Sequence, residues 1–307
     1  MSYRIDPTAG RTPLRGGFDT EATILIVGCG GTGSILAESL RRLLYKKRAW
    51  LFLVEPDRVE PANVGRQAFG PADIGAFKVE VLARSLSRRF GLESGYSILP
   101  YDATLHGVVF RESLSPRLRL VVGCVDNAAA RRSIAATLAS VAGHHGRGPG
   151  SVWWLDSGNG YSSGQVLLGN AVRPEDLRGA FDRASGICRA LPSPSLQRPD
   201  LLESIPAPDP SNDPSPSTLD CVDRVVRGEQ APTVNAMAAV IVATYVSRLL
   251  DGSCDSFASY FDLADGTLRS LPAEPSVIAD LVGLHPNVVA PTAVRAGAGE
   301  RRDRAHS

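Results

Sequence analysis

Asn63, Arg66, Gln67 and Lys78 place two amides, a guanidinium and an ammonium within sixteen residues, and Asp126 adds a carboxylate further along. Groups of this kind handle phosphates. When the α–β bond of ATP breaks, charge grows on the phosphoryl oxygens and on departing pyrophosphate, and fixed cations neutralise it. A hydride-transfer enzyme has no need of several cations beside its cofactor. Lys78 stands out further because only three of the 33 basic residues are lysines, the others being Lys46 and Lys47. It is expected to be an exposed phosphate-binding cation that contributes charge and little packing.

These side chains need a frame, and Ile24-Leu25-Ile26-Val27-Gly28-Cys29-Gly30-Gly31-Thr32-Gly33-Ser34 supplies its centre. Four apolar residues make a buried strand, and the glycines turn sharply and let a phosphate approach the backbone. A helix from about Ser34 to Lys46 follows, with Ile35, Leu36, Leu40, Leu43 and Leu44 at helical spacing. Its N-terminus points at whatever anion sits above the loop. The dinucleotide fingerprint matches these glycines equally well. Ala49–Val54 is a second buried strand, ending in Glu55-Pro56-Asp57, where a carboxylate accepts from ribose hydroxyls. NAD enzymes and adenylate-forming enzymes both use that carboxylate, so it does not separate them.

Lys78 leads into a helix of about 80–90, Tyr96–Pro100 reads as a third strand, and Leu118–Val125 as a fourth. Asn127 can cap the helix that carries Ile134, Leu138 and Val141, which leaves Asp126 at the carboxyl edge of the sheet. Asp126 as a Mg²⁺ ligand and Asp126 as part of that cap are equally compatible with the spacing. Trp153–Asn159 and Gly164–Gly169 suggest an antiparallel hairpin. Residues 189–218, rich in proline, serine and aspartate, are expected to form a long exposed loop without regular structure. Cys221 follows, then a helix from about Thr233 to Leu250 and a closing hairpin over Phe257–Leu271.

The chain has 307 residues, 43% hydrophobic content and a net charge of +1. A near-neutral balance with no aromatic residues interleaved among the basic clusters argues against nucleic acid. The apolar run Ala236–Val246 is too short to span a bilayer and nothing resembles a signal peptide, so a cytoplasmic protein with no membrane partner is expected. The five cysteines, Cys29, Cys124, Cys188, Cys221 and Cys254, are scattered and never paired as C-x-x-C, which disfavours a disulfide framework or zinc site. One folded domain is expected over 21–284, between an irregular arm at 1–20 and a disordered tail at 285–307.

Read together, Gly28-x-Gly30-Gly31-x-Gly33, Glu55-x-Asp57-x-Val59, Asn63-x-x-Arg66-Gln67, Asp73-x-Gly75-x-x-Lys78 and Asp126-Asn127-x-x-x-Arg131 resemble the ThiF/MoeB superfamily of ubiquitin-activating-type enzymes. Asp156-x-Gly158-Asn159, Ser163-Gly164-Gln165-Val166 and the spacing of Cys221, Gln230 and Asn235 are similar to the ThiF-like protein of the bacterial PRTRC system. The resemblance implies a doubly wound, mostly parallel α/β sheet, a homodimer, and MgATP-dependent adenylation of the C-terminal glycine carboxylate of a ubiquitin-like, β-grasp or sulfur-carrier protein. It places Glu55 and Asp57 near the ribose and phosphates, Asn63, Arg66, Gln67 and Lys78 on the triphosphate with Asn127 nearby, and Asp126 on Mg²⁺. It leaves Cys221 open as the site of a thioester that follows adenylation, with Cys188 as rival nucleophile, or as an ordinary buried cysteine or the relic of a zinc position. Glu55 replaces the usual first aspartate, Ala62 stands where a hydroxyl residue often precedes the asparagine, and the C-x-x-C zinc ligands are absent, so no zinc is expected. The alternatives are an NAD(P)-dependent oxidoreductase and a catalytically inactive ThiF-like scaffold.

Overall fold

The computed structural model describes residues 3–8, 20–110, 116–142, 152–203 and 231–292. Strand β1 (Arg4–Ile5) comes first, followed by β2 (Thr20–Val27), whose apolar run becomes the centre of the molecule. Helix α1 (Gly31–Leu43) begins three residues earlier than the periodicity predicts, because Gly31, Thr32 and Gly33 are themselves helical and buried. After β3 (Ala49–Val54) come α2 (Lys78–Phe90) and β4 (Gly95–Ser97), the last shorter than expected. Helix α3 (Ala103–Val109) went unpredicted, because only seven residues after an Asp102 cap carry too little periodicity. Strand β5 (Pro116–Gly123), α4 (Ala128–Ala142) and the antiparallel pair β6 (Trp153–Asn159) and β7 (Ser163–Gly169) complete the first half.

Strand β2 pairs in parallel with β3 and β5, β3 with β4, and β5 with β6. The chain therefore runs outward from β2 in both directions, and the crevice above the carboxyl ends of β2 and β5 is the switch point where ligands of open α/β sheets bind. Successive β2 side chains go to opposite faces. Ile24 and Ile26 join one core with Leu36 and Leu40 of α1, whereas Leu25 and Val27 join another with Ile134 and Leu138 of α4. Each face is thus covered by helices, as near-continuous apolar strands require.

The segment expected to be a long exposed loop behaves differently at its start. Beyond β8 (Phe181–Asp182) and β9 (Ile187–Cys188), residues Ala190, Leu191 and Ser193 are buried, and α5 (Pro194–Gln197) is a regular turn of helix. Gln197 donates through Nε2 to Leu168 O and Pro192 O, at 2.9 and 2.7 Å. Proline at the first helical position suits a helix start. The expectation is corrected for residues 189–203, while 204–218 and Cys221 lie outside the described residues.

Helix α6 (Pro232–Asp251) is twenty residues long with mean hydropathy 1.5, long and apolar enough by composition to cross a membrane, unlike the shorter run read from sequence. Its Val234, Ala238, Val242, Val246 and Leu249 are buried in the core with α1, which accounts for that hydropathy. Strands β10 (Ser256–Asp262) and β11 (Thr267–Pro272) form the predicted closing hairpin, and β10 pairs with β7. The complete order is β11-β10-β7-β6-β5-β2-β3-β4. The described parts of two regions read as irregular contain regular structure. In the arm, β1 pairs with β9, Ile5 is buried and Tyr3 packs edge-on against Phe181 at 5.0 Å. At the other end α7 (Pro275–Val282) is followed by α8 (Pro286–Val289), with Val289 and Ala290 buried, so the packed fold extends beyond residue 285 to Ala290.

Candidate functional site

The turn after β2 opens at Gly28, whose φ of +91° is a conformation that favours glycine. Gly28 N–H donates to Val54 O and Cys124 N–H to Val27 O, which stitches the turn to the ends of β3 and β5. Gly33 is a packing glycine, since a Cβ there would lie 1.9 Å from Gly28 O. Gly30 differs, because the nearest atom to a Cβ would be Gln67 Nε2 at 3.7 Å. Gly30 is also the N-cap of α1, and no side chain caps that end. The loop therefore leaves room at Gly30 and presents uncapped backbone N–H groups beside it, a geometry suited to a phosphate.

Glu55 braces this loop. One carboxylate oxygen accepts from Cys29 N–H at 2.9 Å and the other from Asp57 N–H at 3.2 Å. Each oxygen retains a lone pair, so acceptance from a ribose remains open to it. Burial, and then the Glu55 charge, push the Cys29 thiol well up, which keeps it protonated and makes it a packing residue.

Between Asp57 and Lys78 the chain leaves the sheet and returns. Val59 N–H donates to Ala76 O, Gly75 N–H to Val59 O and Lys78 N–H to Asp57 O, closing a neck. Arg58 seals it from outside, its guanidinium 3.8 Å above the Phe77 ring and donating to Gly75 O at 2.7 Å. Residue 58 carried no sequence signal, because the stacking needs a partner nineteen positions away. The neck delivers Lys78, at the first turn of α2, to within 3.3 Å of Asp57 Oδ2. Lys78 is not the exposed cation the spacing predicts, being 7% exposed.

Inside the neck, Asn63 is buried and its Oδ1 accepts from Glu60 N–H at 2.9 Å, holding a one-turn 3₁₀ helix over Pro61–Asn63. Arg66 lies just beyond, its Nε donating to Ala62 O at 2.8 Å, which fixes the guanidinium by one edge. Gln67 Oε1 is buried with no partner among the described residues while its Nε2 faces Gly30. The loop thus brings Gln67 to the glycine turn.

On the other side of the switch point Asn127 caps α4, Oδ1 accepting from Ala130 N–H at 2.8 Å, and its Nδ2 lies 3.2 Å from Asp126 Oδ1. Capping therefore belongs to Asn127, and Asp126 is exposed at the end of β5. Mg²⁺ is bound through one or two carboxylates with substrate phosphates, so a single exposed aspartate is a donor of the right kind. No three His, Cys, Asp or Glu groups converge among the described residues.

Behind Asp126, Arg131 Nε pairs with the fully buried Asp156 Oδ2 at 3.0 Å and its Nη2 reaches Ser157 O at 3.4 Å. Burial drives the Asp156 carboxyl up and Arg131 pulls it back. Asn159 and Thr32 both donate to Asn235 Oδ1, the latter at 3.2 Å. These links join β6, α6 and the glycine turn. Nothing local announces them, since Thr32 and Asn235 lie 203 positions apart.

Cys188 is not placed as an exposed thiolate. It is fully buried, its Sγ donates to Ala190 O at 3.3 Å, and burial pushes its thiol far up. Cys221 lies outside the described residues.

The family model described as "ThiF family" matches residues 20–275. Ubiquitin-like modifier-activating enzyme 5 of Drosophila persimilis is 37% identical over 128 residues, covering 38% of this chain and 32% of that protein. The enzyme of the same name from Xenopus laevis is 35% identical over 124 residues, 36% of this chain and 30% of that one. Among solved structures, E. coli MccB with ATP superposes with a TM-score of 0.51 at 17% identity, covering 82% of this chain and 64% of MccB. That likeness is one of fold. The match spans about a third of the activating enzymes' length.

Proposed function

This chain belongs to the ThiF family, and from that premise we propose that it is an ATP-dependent adenylyltransferase acting on the C-terminal glycine carboxylate of a small ubiquitin-like, β-grasp or sulfur-carrier protein. The observation that carries the reading is the convergence of Gln67, the Glu55 brace and the Asp57–Lys78 pair on the uncapped glycine turn at the start of α1. A hydride-transfer site would leave Lys78 and Arg66 without a task, and an inactive scaffold would have no reason to keep both with Asp126.

The chemistry asks little of a base, because the attacking carboxylate is already ionised. The enzyme must align it with the α-phosphorus and neutralise the charge moving to pyrophosphate. The first N–H groups of α1 and the gap at Gly30 suit a phosphate oxygen. Lys78, withdrawn from water and held by one exposed carboxylate, and Arg66, anchored by one edge, supply fixed positive charge near it. Glu55 and Asp57 suit the ribose, and Asn63 and Gln67 the phosphates. Mg²⁺, with Asp126 as its protein ligand, would share the triphosphate charge.

The reading extends to a homodimer, to the PRTRC-type subgroup and to a thioester on Cys221. The burial of Cys188 favours Cys221 over it, and the Asn159–Asn235 contact joins two positions of the PRTRC-like pattern. The test is ATP–pyrophosphate exchange with a β-grasp protein ending in glycine, encoded by a neighbouring gene. Exchange that depends on both supports adenylation; none with a folded protein and MgATP removes it. A thiol-sensitive conjugate on a non-reducing gel that survives Cys188→Ala and is lost in Cys221→Ala supports the thioester, and exchange without any conjugate limits the enzyme to the adenylate.

A further inference from the structure

Asn235 is fully buried in the first turn of α6 among apolar neighbours such as Val234 and Ala238. Its Oδ1 serves two donors, Thr32 and Asn159, whereas Nδ2 has no acceptor among the described residues. A buried N–H left unpaired forfeits its solvation with nothing in return, a penalty that an apolar residue here would avoid. The amide lies directly against the glycine turn, where a Cβ on Gly31 would fall 2.2 Å from Nδ2. Gly31 is the first residue of α1, the helix end with no side-chain cap. An unpartnered side-chain donor and a set of uncapped backbone donors therefore meet at one place.

We infer that Asn235 is a positioning residue of the phosphate site: Oδ1 holds Thr32 and the end of β6 in place, and Nδ2 is a donor completed by a phosphate oxygen of the bound nucleotide. Gly31 is glycine because this amide occupies the space of a side chain. The inference rests on the nucleotide reading above and adds a residue that acts on α1 from a distant helix.

The experiment compares ATP binding by calorimetry for the full-length wild type, Asn235→Asp and Asn235→Ala across pH. Asn235→Asp keeps the Oδ1 acceptor and replaces the donor with an oxygen facing the phosphate. Its affinity relative to wild type should fall at least roughly tenfold near pH 8, where the introduced carboxylate is charged. It should recover towards about pH 5.5, because burial raises the carboxyl pKa and the protonated acid donates again. Taking the ratio cancels the titration of ATP itself. Asn235→Ala should lose affinity by a similar factor with a flat ratio across pH.

A folded Asn235→Asp with a flat ratio near one overturns the inference, as does Asn235→Ala binding ATP like wild type. If Asn235→Asp fails to fold, Thr32→Val, which removes one partner of Oδ1, must weaken ATP binding at an unchanged melting temperature, and unchanged binding overturns the inference. Wild type that binds no ATP at any pH overturns the nucleotide reading and this one with it, whereas wild-type binding with silent variants overturns this one alone.

Discussion

Lys78 Nζ and Asp57 Oδ2 stand 3.3 Å apart, the lysine side chain 8% exposed and the aspartate 67%. The same two residues are joined through their backbones, Lys78 N–H to Asp57 O at 3.1 Å. An ion pair with one partner in water stabilises a fold by about 1 kcal/mol at most. Its value lies in placement, since the only cation at the head of α2 is held next to the glycine turn with its stem packed away from solvent.

Lys78→Ala should therefore lower pyrophosphate exchange by at least about a hundredfold. Because the buried stem is lost as well, stability should fall by about 1–2 kcal/mol rather than stay unchanged. Thermal unfolding and exchange rate, measured on the same preparation, check both; near-normal exchange by the folded variant would take Lys78 out of the site.

Gly30 and Gly33 separate binding from packing. Gly33→Ala drives a Cβ to 1.9 Å from Gly28 O and should destabilise by more than about 3 kcal/mol or prevent folding. Gly30→Ala has room and should melt within about 3 °C of wild type. It should nonetheless weaken ATP binding at least about tenfold, because the new methyl occupies the approach to the helix N-terminus. Unimpaired nucleotide binding by Gly30→Ala would place the phosphates elsewhere.

The buried Arg131–Asp156 pair makes stability depend on pH once it is broken. Arg131→Met leaves an uncompensated carboxylate and should cost about 3–5 kcal/mol near pH 7. With the cation gone, the folded pKa of Asp156, already raised by burial, rises further above its unfolded value. A raised folded pKa means that stability is fully present below the unfolded pKa and is lost as pH rises through the folded one. The deficit should thus shrink on going to acid pH, and Arg131→Met/Asp156→Asn should lose that dependence. Melting curves from acid to neutral pH report this, and a deficit independent of pH would show that the cost is one of packing.

Asp126 and Asn127 should divide cleanly. Asn127→Ala removes the cap on α4 and should cost about 1 kcal/mol. Asp126→Ala, at an exposed position, should leave the melting temperature in place while raising the Mg²⁺ concentration needed for half-maximal exchange. An Asp126→Ala protein with an unchanged Mg²⁺ requirement would rule out the ligand role.

Much of this molecule is written locally. The apolar runs of β2, β3 and β5, the glycine turn and the Asn127 cap each depend on residues within a few positions of one another, so periodicity and turn chemistry reveal them, and with them the switch point above β2 and β5. Three of the motifs read as candidate site residues are local in the same way, the glycine turn following β2, Glu55-x-Asp57 following β3 and Asp126-Asn127 following β5. Burial and pairing across the chain were not. Whether Lys78 is exposed depends on how the neck sealed by Arg58 and Phe77 closes, and composition alone does not say that Leu191 and Ser193 pack while a proline-rich stretch surrounds them. The Thr32–Asn235–Asn159 contacts and the Arg131–Asp156 pair exist only once α6 and β6 are laid against α1 and α4. Side-chain period and turn geometry are properties of neighbouring residues, whereas desolvation and hydrogen-bond partnership are set by whichever distant segment packs there, and that was decided by the tertiary structure alone.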